Sequence, residues 1–414
     1  MKKRVVIIGA GAAGVFAAAV CAEMAPHLEV IVLEKTRQPL AKVRISGGGR
    51  CNVTHAQFDP KKLVSNYPRG HKELLGPFHH FQPQDTFAWF KRHGVTLKIE
   101  EDGRCFPTTD HSSTIVNCLL DTAKARGVFL RLETSVTGIT AFGKRFSVQI
   151  EGEESLECDT LLLATGSSPR GLELAASLGH TIVPAVPSLF TLNTPTSSLL
   201  DLSGITLPDA ELTLPQLSLK QRGALLLTHF GFSGPAALKL SSFGARELHA
   251  CHYRTALHVC WVPSLTKEEI LQQLLTLKKT RPAKQLENEN PFHLPSNLWK
   301  RLLVLEKIPH FTSFGHIADK QLHGLAERLT ASPFAIEGKT THKAEFVTAG
   351  GIELKEIDFK TLQSKIHPHL FFAGEILNID GVTGGFNFQN AWTTAYLAAR
   401  HIAQLFLNLK MALS

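Results

Sequence analysis

The stretch Arg4-Val-Val-Ile-Ile-Gly9-Ala-Gly11-Ala-Ala-Gly14-Val-Phe-Ala-Ala-Ala leaves this chain few ways to fold. An apolar run of strand length meets Gly9-x-Gly11-x-x-Gly14, and small, helix-favouring residues follow at once, which is the strand, tight turn and helix that a dinucleotide site requires. Gly9 permits the turn, Gly11 lets backbone approach a pyrophosphate, and Gly14 lets the helix pack closely on the strand, so that phosphate charge meets the positive end of the helix dipole. Glu29-Val-Ile-Val-Leu-Glu34 reads as the second strand of the same unit. Its terminal carboxylate stands 20 residues after Gly14, where a ribose hydroxyl would sit. A lone glycine pattern is a weak signal; strand, helix and spaced acid together make dinucleotide binding the expectation.

At 414 residues the chain exceeds one typical domain. Lys2-Lys3-Arg4 before an apolar stretch has the outline of a secretory signal, but small residues fill the stretch, no clean cleavage site follows, and Glu23 comes directly after it. With no other apolar run of about 18 residues, a cytoplasmic protein without a membrane partner is expected. Seven cysteines with no CxxC or CxxxxC spacing fit reduced thiols. They exclude a redox-active disulfide of the thioredoxin-reductase type and a zinc ribbon. The net charge of +8 is dispersed in short pairs such as Lys61-Lys62 and Lys300-Arg301, so a solvated face is expected and nucleic acid is not expected as a partner.

After the second strand, Lys35-Thr-Arg-Gln-Pro-Leu-Ala-Lys42-Val-Arg44-Ile-Ser46-Gly47-Gly48-Gly49-Arg50-Cys51-Asn52 sets consecutive glycines beside cations, a mobile loop whose backbone N–H groups suit phosphates and the polar edge of a heterocycle. Residues 84 to 94 read as a helix, Val95 to Glu100 as a strand, Gly103 to Pro107 as a turn and Ser112 to Arg126 as a helix. Asp159-Thr-Leu-Leu-Leu-Ala164-Thr165-Gly166 is a buried-type strand that delivers its tip to a ligand. Composition changes after Pro187, and Ser188 to Pro263 reads as mostly β. Within it, Gly231-Phe-Ser233-Gly234-Pro235 lacks the strained strand-to-helix site and placed acid of a hydrolase, and His249-x-x-His252 lacks a metal-ligand partner set. Residues 265 to 330 read as three helices that form a cap or pack on the core, since no helix carries an Arg, Asn and Gln recognition face. Lys343 to Ile352 brings a strand back. Leu370-Phe-Phe-Ala-Gly374-Glu375-Ile-Leu-Asn-Ile-Asp380-Gly381-Val-Thr-Gly384-Gly385-Phe-Asn387-Phe388 then repeats the N-terminal logic of strand, acid, glycine turn and helix start.

The segments SGGGRCN, THFGFSGP, VTAGGI and AGEILNIDGVTGGFNFQNAW, in that order across nearly the whole chain, resemble the bacterial YhiN-like flavoprotein family, which includes aminoacetone-oxidase-like and BaiN-like enzymes. The resemblance implies an α/β fold. A Rossmann-type FAD domain would be formed by both chain ends (1–187 and 343–414), with an inserted β-barrel-like domain (188–264 and 331–342) and a helical subdomain (265–330). It implies that Gly9, Gly11, Ala12, Ala13 and Gly14 hold the pyrophosphate and Glu34 the adenosine ribose, with Val136 by the adenine and Thr165 and Gly166 along the dinucleotide. Lys35, Lys42, Arg44, Ser46, Gly47, Gly48, Gly49, Arg50, Cys51 and Asn52 would line the cofactor. Gly374, Glu375 and Asp380 would lie near the ribityl or pyrophosphate, and Gly384, Gly385, Asn387 and Phe388 would start a helix beneath the isoalloxazine.

A flavin carries redox chemistry itself, so no catalytic acid or base is assigned; Arg50 and His229 are candidates for substrate-side polarity. The expected activity is FAD-dependent oxidoreduction of a small-molecule amine or enone. No second GxGxxG occurs, which leaves NAD(P)H as a transient electron donor or oxygen as acceptor. The rival from another class is a flavin-bearing sensor whose basic helical block contacts nucleic acid. No metal is expected, and oligomeric state is open.

Overall fold

The computed structural model describes residues 2–340 and 347–412. The chain divides into two compact units, 1–186 with 347–414, and 187–346.

The first unit is built on a seven-stranded sheet. Its five parallel strands run in the order Leu370–Phe372, Thr160–Leu163, Arg4–Ile8, Glu29–Leu33, Phe129–Arg131, and the short antiparallel strands Gln363–Ser364 and Ile357–Asp358 extend one edge. Val5 to Ile8 and Leu161 to Leu163 are buried on both faces, as the unbroken apolar runs require of central parallel strands. The helix Ala12–Met24 is apolar on every side and buried from Ala13 to Ala22, and the long helix Phe386–Ala412 packs along it. Consecutive strands leave Arg4–Ile8 in opposite directions, to Glu29–Leu33 on one side and Thr160–Leu163 on the other. The chain therefore opens a crevice at the carboxyl ends of these strands.

Three local expectations are corrected here. Gly103 to Pro107 is not simply a turn: Arg104–Pro107 is a strand paired with Leu97–Ile99 and with Thr54–His55, a non-local partner that no nearby sequence signals. The segment 35–52 is not an irregular loop throughout, since Ala41–Ile45 is helical and Ser46–Gly49 forms a 3-10 turn. The strand expected from Lys343 is observed as Val347–Ile352; residues 343–346, and the domain boundary at 342/343, lie outside the described residues.

The second unit carries a seven-stranded antiparallel sheet in the order Ser332–Glu337, Arg254–Cys260, Thr206–Leu214, Leu219–Leu227, Gly231–Ser233, Thr191–Asn193, Lys339–Thr340. Only Gly338 separates its two edge strands in sequence. The stretch 188–263 also contains the helices Gly234–Phe243 and Ala245–Ala250, which the β-rich composition hid. Helices Lys267–Thr280, Ser296–Leu305 and Asp319–Ala331 share one core with the sheet, Leu212, Leu225 and Trp261 meeting Ile270, Trp299 and Leu325. Thr266 and Glu269 cap the first of these helices reciprocally. The buried indoles are satisfied, Trp261 by Ser332 Oγ at 2.7 Å and Trp299 by Leu286 O at 2.7 Å. No helix among the described residues is long and apolar enough to cross a membrane.

Candidate dinucleotide site

The crevice of the first unit is a groove of about 450 Å³. At its floor the chain leaves Arg4–Ile8 through Gly9, whose φ is +104° and where a Cβ would lie 2.6 Å from Ala164 O. One turn into the helix, a Cβ on Gly14 would lie 1.8 Å from Gly9 O, so Gly14 sits beneath the groove and permits helix and turn to touch. A Cβ on Gly11, the helix N-cap, would meet nothing within 4 Å. No side chain caps this helix, which leaves first-turn amides available to an anion.

Glu34 ends the second strand at the groove wall. Its Oε2 accepts from Ala10 N at 2.9 Å and its Oε1 from Thr36 N at 3.0 Å and Thr36 Oγ1 at 2.8 Å, so the carboxylate is fixed against the glycine turn. From the far end of the chain, Gly374 is held by its N–H to Thr394 Oγ1 at 2.9 Å, and Glu375 Oε2 pairs with Lys42 Nζ at 2.6 Å. Asn387 exchanges two bonds with Gly381, donating to its carbonyl at 2.9 Å and accepting from its amide at 2.8 Å, which fixes the turn before the long helix. The groove is thus lined by Gly9, Gly11, Ala12, Ala13, Glu34, Lys35, Lys42, Val136, Thr165, Gly166, Gly374, Glu375, Asn387 and Phe388 among the residues expected from sequence.

The remaining expected residues stand outside it. Arg44 and Ser46 turn to their own neighbourhood, Arg44 Nε to Pro39 O at 3.4 Å and Ser46 Oγ to Val43 O at 3.0 Å. Arg50 lies with its guanidinium 4.0 Å over the Phe106 ring and bonds Glu100 at 2.7 Å, so its charge is already matched. Cys51 is fully buried at φ +63°, and burial pushes its thiol up to about 12, which makes it a packing residue. Asn52 Oδ1 accepts from Cys105 N at 3.3 Å. A Cβ on Gly47 would come within 3.0 Å of Phe106 and Asn52, and one on Gly385 within 2.5 Å of Thr54 O. His55 Nδ1 is 3.1 Å from Gly384 O. The two glycine-rich turns therefore pack through residues 52 to 55, while a Cβ on Gly48 or Gly49 would meet nothing within 4 Å. Asp380 is 1% exposed and ion-paired with Arg69, and so stabilises the turn from behind.

Sequence reasoning missed Thr134, Ser135, Ser168 and Arg170, which complete the wall around Val136. Arg170 donates to Val136 O at 3.4 Å and to Thr137 O. Tertiary packing of distant segments brings these residues together; the run Thr165-Gly-Ser-Ser-Pro-Arg170 is the one local signal. His229 is exposed in the turn between Leu219–Leu227 and Gly231–Ser233, in the second unit. Ser233 does stand at a strand-to-helix junction, contrary to expectation, but its Oγ bonds Thr191 Oγ1 at 3.1 Å. His249 Nδ1 bonds the Tyr253 hydroxyl at 3.1 Å. No group of three or more His, Cys, Asp or Glu among the described residues could hold a metal.

The groove fits a dinucleotide on its own terms. It joins an open glycine cradle, an uncapped helix start, two carboxylates, and the cations Lys35, Lys42 and Arg170. Thr165 stands on its wall with its hydroxyl turned to Gly171, where a Cβ would lie 1.8 Å from Oγ1. A family model described as the HI0933-like protein Rossmann domain matches residues 3–401. The chain belongs to this family. The HI0933-like family includes the YhiN- and BaiN-like flavoproteins that the sequence motifs resemble, and in class the chain is an FAD-dependent oxidoreductase. It is 29% identical over 408 residues to the ribosomal RNA dihydrouridine synthase of Escherichia coli (strain K12), covering 96% of this chain and 97% of that protein. It is 26% identical over 412 residues to the 3-dehydro-bile acid delta(4,6)-reductase of Clostridium scindens, covering 97% and 99%. Among solved structures, 3-ketosteroid delta1-dehydrogenase from Sterolibacterium denitrificans shares the fold of this HI0933-like chain with a TM-score of 0.52 at 14% identity, covering 97% of this chain and 99% of that one.

Proposed function

We propose that this chain is a reductase that uses FAD to add hydride to a carbon–carbon double bond conjugated to a carbonyl group, with NAD(P)H as the electron donor. The observation that carries the reading is full-length similarity to two proteins, a dihydrouridine synthase and a delta(4,6)-reductase, whose names describe one chemical step on different rings. In each, two hydrogens are gained across a double bond beside a carbonyl. FAD supplies the hydride-carrying ring when bound.

The protein's own residues would bind and orient that group. Gly9, Gly11 and the first turn of Ala12–Met24 would take the pyrophosphate on backbone amides, with Lys42 adding charge at the rim. Glu34 would accept from ribose hydroxyls with the carboxylate already fixed by Ala10 N. The start of Phe386–Ala412, with Asn387 and Phe388 on the groove wall, would place a positive helix end against charge that develops on the flavin's pyrimidine side. The division of the chain into a cofactor unit and an inserted unit with a helical part, 265–330, belongs to the same proposal.

A second reading concerns the substrate. A uracil ring within RNA is itself a double bond conjugated to a carbonyl. The dihydrouridine synthases of Escherichia coli and Haemophilus influenzae, each 29% identical over 96% of this chain, favour it over a bile-acid-like enone.

The test is anaerobic. The flavin of the purified protein is bleached with NADH or NADPH, then offered a 4-en-3-one steroid, a uridine-containing RNA, or buffer. Return of the flavin's visible absorption with the steroid or the RNA, and a product heavier by two hydrogens, is the expected result. Bleaching by aminoacetone, with no reoxidation by either conjugated substrate, would replace the reading with amine oxidation.

A further inference from the structure

We propose that the helical part of the second unit carries a docking site for single-stranded RNA, with Phe311 as the platform on which a base stacks. The inference rests on the RNA reading of the substrate given above.

Phe311 is 73% exposed, more than any other large apolar side chain among the described residues. It is also held in that position. Its φ is +62°, in the left-handed region that a residue with a Cβ adopts at a cost. On either side the chain is anchored: Ile308 is 4% and Phe314 0% exposed. Thr312 Oγ1 donates to Pro309 O at 2.7 Å, Leu286 N to Thr312 O at 3.0 Å, and Phe314 N to Lys284 O at 2.9 Å. The backbone that carries the ring is fixed by these bonds. Beside it, Glu287, Lys300, Val304 and His310 line the same shallow depression.

The charge around the ring is unbalanced. Residues 265–331 contain ten Lys and Arg against seven Asp and Glu. Four of those acids, Glu289, Glu306, Asp319 and Glu327, are taken up in ion pairs with Lys or Arg within the block, and Glu287, which lines the depression, lies 3.2 Å from His310 Nδ1. Lys284, Lys300 and Lys307 make no ion pair among the described residues, and all three belong to segments that frame Pro309–Phe314.

A ligand for this ledge must offer a flat π face and negative charge together. An acidic peptide would use the lysines and leave the ring; an apolar partner would cover the ring and strip water from the lysines. Single-stranded RNA uses both, a base on the aromatic face and phosphates on the ammonium groups.

The experiment is fluorescence anisotropy of a 5′-fluorescein oligouridylate with the flavin-loaded protein at several salt concentrations. Phe311→Ala should weaken binding about tenfold and Phe311→Trp should restore it. Lys300→Ala should weaken binding and reduce the slope of log Kd against log salt by about 0.7. Wild-type binding with Phe311→Ala unchanged, or equal binding of a duplex of the same length, overturns the stacking site and leaves the RNA reading standing. A Phe311→Ala protein that changes only in sedimentation makes the ring a contact between copies, and the site also falls. A wild-type protein that holds no oligouridylate and transfers no hydride to uracil overturns the RNA reading itself.

Discussion

Lys42 Nζ lies 2.6 Å from Glu375 Oε2, an ion pair between residues 333 positions apart that joins the N-terminal and C-terminal walls of one groove. Lys42 is about half exposed, so the pair by itself is worth roughly 0–1 kcal/mol. Its importance lies in where it puts the carboxylate. Glu375→Gln should leave thermal stability nearly unchanged and weaken FAD binding about tenfold, as loss of a charge-assisted hydrogen bond does. Titration of FAD into the apoprotein checks this, and an unchanged dissociation constant would remove Glu375 from the site.

Two glycines of one motif should respond in opposite ways to the same methyl group. Gly14→Ala places a Cβ 1.8 Å from Gly9 O, and the backbone must move. Destabilisation by about 3 kcal/mol is expected, with loss of FAD. Gly11→Ala meets nothing within 4 Å and should fold normally, with any loss confined to FAD affinity. Denaturant melts of the two variants separate these effects. Equal stability would contradict the tight helix–turn contact.

Arg69 and Asp380 form a buried pair behind the C-terminal glycine turn, 15% and 1% exposed at their side chains. Arg69→Met strands a buried carboxylate and should cost about 3 kcal/mol. Tyr67 holds the same turn through its hydroxyl to Phe386 O at 2.7 Å. Added FAD should therefore raise the melting temperature of Arg69→Met less than it raises that of the wild type. A full FAD-induced shift in the variant would mean that the pair serves stability alone.

His180 stands between Glu356 Oε2 and Ser364 Oγ, each at 2.9 Å from a ring nitrogen. The order is that of a hydrolase triad. However, Ser364 Oγ also accepts from the amides of Ile366 and His367 and is buried, so it is a fastening and not a nucleophile. Burial holds the imidazole below its ordinary pKa of 6.5, against the opposing pull of Glu356. The unfolded chain therefore takes up the proton first as pH falls. The stability this residue contributes is full above 6.5 and is lost as pH drops below that value towards the folded pKa. His180→Gln should flatten the fall in melting temperature between pH of about 7 and 5. An unaltered slope would assign the acid sensitivity elsewhere.

The cofactor end of the fold was legible because strand, turn and helix are contiguous in the first 34 residues and each glycine there has a steric reason. Where the physics is non-local, sequence was silent or pointed the wrong way. Arg104–Pro107 is a strand between the neighbouring Leu97–Ile99 and the distant Thr54–His55, and the second of these partners no local pattern announces. Cys51 and Asp380 belong to motifs of the cofactor type, yet both turn inward, the first into a packed interior and the second onto Arg69. In FNFQNAW, Gln389 accepts from Thr54 and Thr86, and Trp392 Nε1 donates to Val53 O at 2.9 Å. Much of that motif therefore holds the neighbouring chain in place. Thr134 and Arg170 reach the groove through tertiary packing that no spacing announces.

On the proposed function both chain ends enclose one FAD. The most direct test releases the cofactor from the purified protein by heat and identifies it by mass, in the wild type and in Glu34→Ala and Gly11→Val. One FAD per wild-type chain is expected, with reduced occupancy in both variants and their folds intact by thermal melt. A folded wild-type protein that is colourless and takes up no FAD on dialysis, or variants that retain full occupancy, would contradict it.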